Sequence, residues 1–151
     1  MAIKSKETPK TPLQEKYWKF WSEFNNYTSE SSEFKKEFKI HSLPSVRSYQ
    51  DYHIGEPFHI VAGINFTKKE IRIGAYFSDL ISYHFWYNHG KRWVESYVNK
   101  QLKWKSFKTK GSVYTYLSSD FDEATNWEKT FSIMIENMIK MKNAFTEDVK
   151  L

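Results

Sequence analysis

From Phe58 onward the chain alternates. Phe58, Ile60, Ala62, Ile64 and Phe66 are apolar, with His59, Val61, Gly63 and Asn65 between them. After a turn at Thr67-Lys68-Lys69, Ile71, Ile73, Ala75 and Phe77 alternate with Glu70, Arg72, Gly74 and Tyr76. A period of two puts successive side chains on opposite faces, so the pattern predicts a β-hairpin with one buried face. Ahead of it, the strand formers of "VRSYQDYHIG" stop at Gly55 with Pro57 just beyond, which predicts another strand and a turn. Past residue 100, "QLKWKSFKTKGSVYTY" holds apolar and lysine positions in alternation around Gly111 and predicts two more strands.

Helical spacing fills the remainder. Thr11-Pro12-Leu13-Gln14 combines a capping hydroxyl, a proline for the first turn and a glutamine three residues on, as in a capping box. Leu13, Tyr17, Phe20, Trp21 and Phe24 then form one face of a helix expected to fade at Asn25-Asn26. Serines and acids at 28–33 introduce a short second helix carrying Phe34 and Phe38. A third should run from Ser78 or Asp79 to about Lys100, weakened at Gly90 by about 1 kcal/mol relative to alanine. Thr125 and Glu128 form a second capping box, opening a last helix whose core face is Trp127, Phe131, Met134, Ile135, Met138 and Phe145. The methionines at this spacing read as packing. The expected fold is α+β: a mainly antiparallel sheet of about five strands with helices on one face. Its order is helix, three strands, helix, two strands, helix. Residues 1–10 read as a flexible tail and 11–151 as one domain.

Composition narrows the class. A chain of 151 residues is long enough to bury a core without staples. It contains no cysteine, which excludes disulfides, a thiolate nucleophile and thiolate-bound metal. The polar, lysine-bearing start "MAIKSKETPK" has no apolar segment behind it, and no run approaches the length of a membrane span. The expectation is a cytoplasmic protein with no membrane partner. Aromatic residues make up 19% of the chain and the net charge is +5, a combination that suits phosphates and stacked bases. The same figures describe a basic protein whose rings fill its core, so the choice rests on where these residues point.

The alternation assigns the faces. Leu102 and Trp104 should point inward and Lys103 and Lys105 outward; Val113, Thr115 and Leu117 should oppose Tyr114 and Tyr116. If the apolar set faces the helices, the two tyrosines share the outer face with the two lysines, and the hairpin adds His59, Asn65, Arg72 and Tyr76. The candidate nucleic-acid-binding residues are therefore Arg47, Arg72, Tyr76, Lys103, Lys105, Tyr114 and Tyr116. A face of cations and tyrosines suits single-stranded DNA or RNA, and it also suits a protein partner or a second copy of the chain.

The order of landmarks resembles a prokaryotic family, domain of unknown function 4268, over residues 12–147. The landmarks are the aromatic first helix, "LPSVRSYQDYHIG", "FHIVAGINFTKKEIRIGAYF", "VESYVNKQLKW" and the tryptophan opening the last helix. The most particular is "VESYVNKQLKW", where the family shows an Ile-Glu pair, a glycine closing the helix, then leucine and tryptophan two apart. Asn99 stands at that glycine's place, and Gly74 stands where an acid is common. The resemblance implies a role beside defence or restriction functions in bacteria. It also implies a partner, a nuclease or another defence protein, supplied in trans.

No catalytic constellation, metal site or cofactor site is read from the chain. The order of elements resembles a restriction-endonuclease core, whose chemistry needs an acid near the second strand and an acid-x-lysine pair on the third. Asp51 or Glu56 and the run Glu70-Ile71-Arg72 are the nearest substitutes, with an arginine that cannot give up its proton. A divergent nuclease is accordingly the enzymatic alternative. His84 and His89 are five apart, which separates their faces on a helix, while His53 and His59 flank a turn and can approach. The expectation is a non-enzymatic accessory module that binds nucleic acid; the alternative from another class is an interaction or homodimerisation domain using the same face.

Overall fold

Five strands form one antiparallel sheet in the order β1-β2-β3-β5-β4 in the computed structural model, which describes residues 8–55, 58–121, 127–147 and 149. The strands are β1 (Tyr49–His53), β2 (Phe58–Asn65), β3 (Glu70–Phe77), β4 (Lys103–Phe107) and β5 (Lys110–Ser118). The hairpin forms as the alternation predicts: Ile60 pairs Ala75, Ala62 pairs Ile73 and Ile64 pairs Ile71. Val113 and Thr115 of β5 then extend the same face beyond Ala75 and Ile73. These side chains are buried under the helices, so the fold is α+β with a helical layer on one face of the sheet. Thr125, Glu56 and Pro57 lie outside the described residues, as do residues 1–7 of the expected tail.

Helix α1 (Pro12–Ser29) starts at Thr11, whose hydroxyl accepts from the Gln14 N–H. The Gln14 side chain accepts from the Lys10 N–H instead of closing the box on Thr11. Contrary to expectation, α1 does not fade at Asn25-Asn26. Asparagine disfavours helix interiors because its amide competes for nearby backbone groups. Here the Asn25 amide is buried and engaged elsewhere: Gln50 of β1 donates to its Oδ1 at 3.0 Å. Leu13, expected on the core face, is 52% exposed, because the first turn of α1 extends past the core.

Between Asp79 and Asn99 the helix is continuous but not uniform. Asp79 caps α3 (Leu80–Phe85) by accepting from the Ser82 N–H at 2.7 Å; a π-helical turn (Trp86–Gly90) leads into α4 (Lys91–Val98). The turn brings Trp86 to 4.6 Å from Phe145, ring to ring. The Trp86 ring lies over Gly90, where a Cβ would come within 2.4 Å of it. Gly90 is therefore a seat for an indole, which outweighs its poor helix propensity. Asn99 ends α4 in the left-handed conformation, φ 56° and ψ 42°, in the place of a glycine.

The core is largely aromatic. Phe20 of α1 is wholly buried, and the rings of Trp21, Phe66, Phe121, Trp127 and Phe131 surround it at 5.1–6.0 Å. Short α2 (Ser32–Glu37) adds Phe34 against Phe24 and Tyr52. Met134, Met138 and Met141 of α5 (Trp127–Thr146) are buried with the predicted Phe131, Ile135 and Phe145. Among the described residues, no helix is long and apolar enough to cross a membrane.

Candidate nucleic-acid interface

The orientation of the outer face is set by the segment joining α4 to β4. The carboxylate of Glu95 accepts from the Leu102 N–H at 2.9 Å and from the Trp104 indole N–H at 3.2 Å. That clamp pulls residues 102 and 104 toward the core, and the pleat then sends Lys103 and Lys105 outward. It gives "VESYVNKQLKW" a physical meaning: the acid, the left-handed residue, the leucine and the tryptophan together fix the entry angle of an edge strand.

Cross-strand rows show what the outer face presents. Lys103 pairs Tyr114, which pairs Gly74, which pairs Val61 and then Asp51. On one side of that row run Tyr116, Arg72, Gly63 and Tyr49; on the other run Lys105, Ser112, Tyr76, His59 and His53. Arg72, Tyr76, Lys103, Lys105, Tyr114 and Tyr116 are thus brought together on one side of the sheet. Arg47 is not on a strand. It precedes β1 at the opposite edge from Lys103 and donates to the Tyr49 hydroxyl at 3.3 Å.

Two glycines shape the middle of this face. A Cβ on Gly63 would lie 3.1 Å from Nε of Arg72; one on Gly74 would lie 2.3 Å from Cδ1 of Tyr114 and 2.1 Å from the Val113 carbonyl oxygen. Their absence lets the guanidinium and the phenol ring lie low on the sheet, the guanidinium 4.7 Å from the ring centroid. Burial raises the Tyr114 phenol above its ordinary pKa, and Arg72 partly opposes that shift. Tyr114 is thus a half-buried floor. Tyr116 is 40% exposed, with the Lys103 ammonium 4.9 Å from its centroid.

Tyr76 stacks on His59 at 5.1 Å and has Phe107 at 6.0 Å and the Lys110 ammonium at 5.8 Å. Phe107 and Lys110 belong to this face although sequence reasoning passed over them. Their parity with Lys105 and Ser112 was the available signal. Asp51 faces His59, Oδ1 to Nε2 at 3.4 Å, and the His53 ring lies 5.4 Å from that of His59.

The Gly74 position links fold and face, because a side chain at 74 and a ring at 114 compete for one space. Gly74→Val is expected to destabilise the protein by about 1–3 kcal/mol, as overpacking does, read as a lower urea midpoint at unchanged slope. It should also lift Tyr114 from the sheet, seen as a shift of its ring protons. An unchanged midpoint would contradict this packing.

The enzymatic pattern gains little from the geometry. Glu70 stands at the start of β3 opposite Asn65 and Ser118, and Asp51 lies in the row of Gly74, four residues along β3. No three His, Asp or Glu side chains converge to hold a metal ion among the described residues, and Glu56 lies outside them. His84 rests against Tyr83 and His89 against Phe85. Comparison of the chain with protein-family models, with curated proteins and with solved structures gave no match.

Proposed function

We propose that this protein is a non-enzymatic accessory module of a prokaryotic defence or nucleic-acid-processing system, binding single-stranded nucleic acid through the outer face of its sheet. The observation that carries the reading is the interleaving of cations and rings on that face: Lys103 at Tyr116, Arg72 at Tyr114 and Lys110 at Tyr76. Ammonium and guanidinium groups neutralise phosphates while exposed rings stack bases, each stacked base contributing about 1–3 kcal/mol. The opposite side of the molecule suits a phosphate backbone poorly. A groove of about 1150 Å³ between α1 and α5 is lined by Glu23, Glu30, Glu33, Glu128 and Glu136. The defence setting rests on the family resemblance of "VESYVNKQLKW" and the hairpin.

Binding to short single- and double-stranded DNA and RNA at two salt concentrations, with mass in solution, tests this. With four phosphates neutralised, single-strand affinity should fall roughly 50-fold between 50 and 200 mM salt, at a slope of about 0.7 per contact. Phe107 and Tyr116, 38% and 40% exposed, favour a second reading in which the face pairs with another copy of the chain. That reading predicts a dimer whose mass is insensitive to salt and no binding of nucleic acid. A divergent nuclease would instead cleave with a divalent metal and lose cleavage in Glu70→Gln.

A further inference from the structure

At one end of the outer face the sheet is incomplete. Among the described residues, β4 pairs with β5 only as far as Tyr114, and Thr115–Ser118 have no strand neighbour on the β4 side. The gap is a notch of about 560 Å³ lined by Lys68, Glu70, Lys100, Gln101, Lys103 and Tyr116. Its volume falls within the range of small-ligand sites, about 300–1,000 Å³.

Two of its lysines stand on fixed backbone. The Asn65 side chain accepts from the Lys68 N–H at 2.9 Å, and Ser119 donates its N–H to the Lys69 carbonyl at 2.9 Å, tying the β2–β3 turn to the end of β5. Lys100 follows the left-handed Asn99 and donates its N–H to the Glu95 carbonyl at 3.1 Å. The third, Lys103, rests its ammonium on the Tyr116 ring.

We propose that this notch seats one nucleotide unit: the base on Tyr116, its phosphate among Lys68, Lys100 and Lys103, and its Watson–Crick edge toward Glu70. The proposal rests on the nucleic-acid reading of the face and names its most selective position. Lys103 supplies the exchange. Its long stem lets the ammonium leave the ring for the phosphate, and an exposed ammonium-on-ring contact is weaker than a stacked base. Glu70 argues against a bare anion site, since a carboxylate among three lysines repels phosphate. It is an acceptor only, and guanine offers adjacent N–H donors on its Watson–Crick edge. The notch should therefore prefer guanine.

The test uses the whole chain, titrated with GMP, AMP and inorganic phosphate while the Tyr116 ring protons are followed, and then with a guanine-containing single strand. Expected are saturable shifts with GMP, weaker ones with AMP and none of that size with phosphate. In Lys68→Ala/Lys100→Ala the GMP response should be lost, and the salt slope for the oligonucleotide should fall by about 0.7, for the one phosphate these lysines neutralise. Glu70→Gln should erase the preference for GMP over AMP. GMP binding that disappears in the double variant supports the notch even if no oligonucleotide binds, in which case the reading of the wider face fails alone. No response to GMP, with oligonucleotide affinity and slope unchanged in Lys68→Ala/Lys100→Ala, overturns the notch and leaves the wider face standing. Equal responses to GMP and phosphate overturn it as well, because no base is then being held.

Discussion

Replacing Lys103 and Lys105 together by glutamate is expected to lower the affinity for a short single strand by about a hundredfold or more at low salt. Each exchange removes an attraction worth about 1 kcal/mol near a phosphate in water and installs a repulsion of similar size. The salt slope should drop by about 1.4, since two contacts at about 0.7 each are gone. Both side chains are exposed, and the geometry of β4 is held by Leu102, Trp104 and Glu95, so the fold should survive. The matched control is Lys35→Glu/Lys36→Glu on α2, which makes the same change in net charge on exposed positions away from the sheet. Equal losses in the two double variants would mean that net charge alone attracts the ligand. Binding that survives in the β4 variant would remove the outer face from consideration.

The faces on which this prediction depends were legible because alternation is a local property. Once Leu102 and Trp104 point inward, Lys103 and Lys105 have no other direction. The neighbours of those side chains were not legible. That Tyr114 lies on Gly74 depends on β5 docking beside β3, a choice made by the folded sheet and not by either strand, and that Arg72 lies along Gly63 depends on the register of the β2–β3 hairpin. The notch has the same origin. It exists because β4 begins only at Lys103, opposite Tyr114, while Lys68 and Lys100 arrive from the β2–β3 turn and the end of α4.

The departures at Asn25 and Gly90 share one cause, in that tertiary partners outvoted local preference. Asn25 remains helical because Gln50 takes up its amide, and Gly90 is favoured where it stands because an indole lies over it. Glu95 would pass as a helix-surface acid in the sequence, yet it orients β4 through two hydrogen bonds. Arg47 stands apart from the other candidate residues. It is off the sheet and bonds to the hydroxyl of Tyr49, whose strand position ends the row that holds Arg72 and Tyr116.

Phe20→Ala is expected to produce the largest loss of stability. The side chain is fully buried and is met by five rings. Truncating a buried phenylalanine to alanine costs about 3–5 kcal/mol, the spread reflecting how far the site can collapse. Collapse should be limited here. The surrounding rings are anchored on α1, α5 and the segments next to β2 and β5, and planar groups fill a spherical void poorly. Domains of this size are stable by about 5–15 kcal/mol, so the variant should lose at least about a fifth of its margin and unfold at a much lower urea concentration. A loss below about 1 kcal/mol would be incompatible with a closed ring cluster around Phe20, since even Ile→Val typically costs 0.5–1.5 kcal/mol. The cluster lies on the helical side of the sheet and the proposed binding face on the other. At temperatures where Phe20→Ala remains folded, it should therefore bind single strands with the wild-type salt slope, whereas the β4 double variant should show the reverse: full stability and a shallow slope.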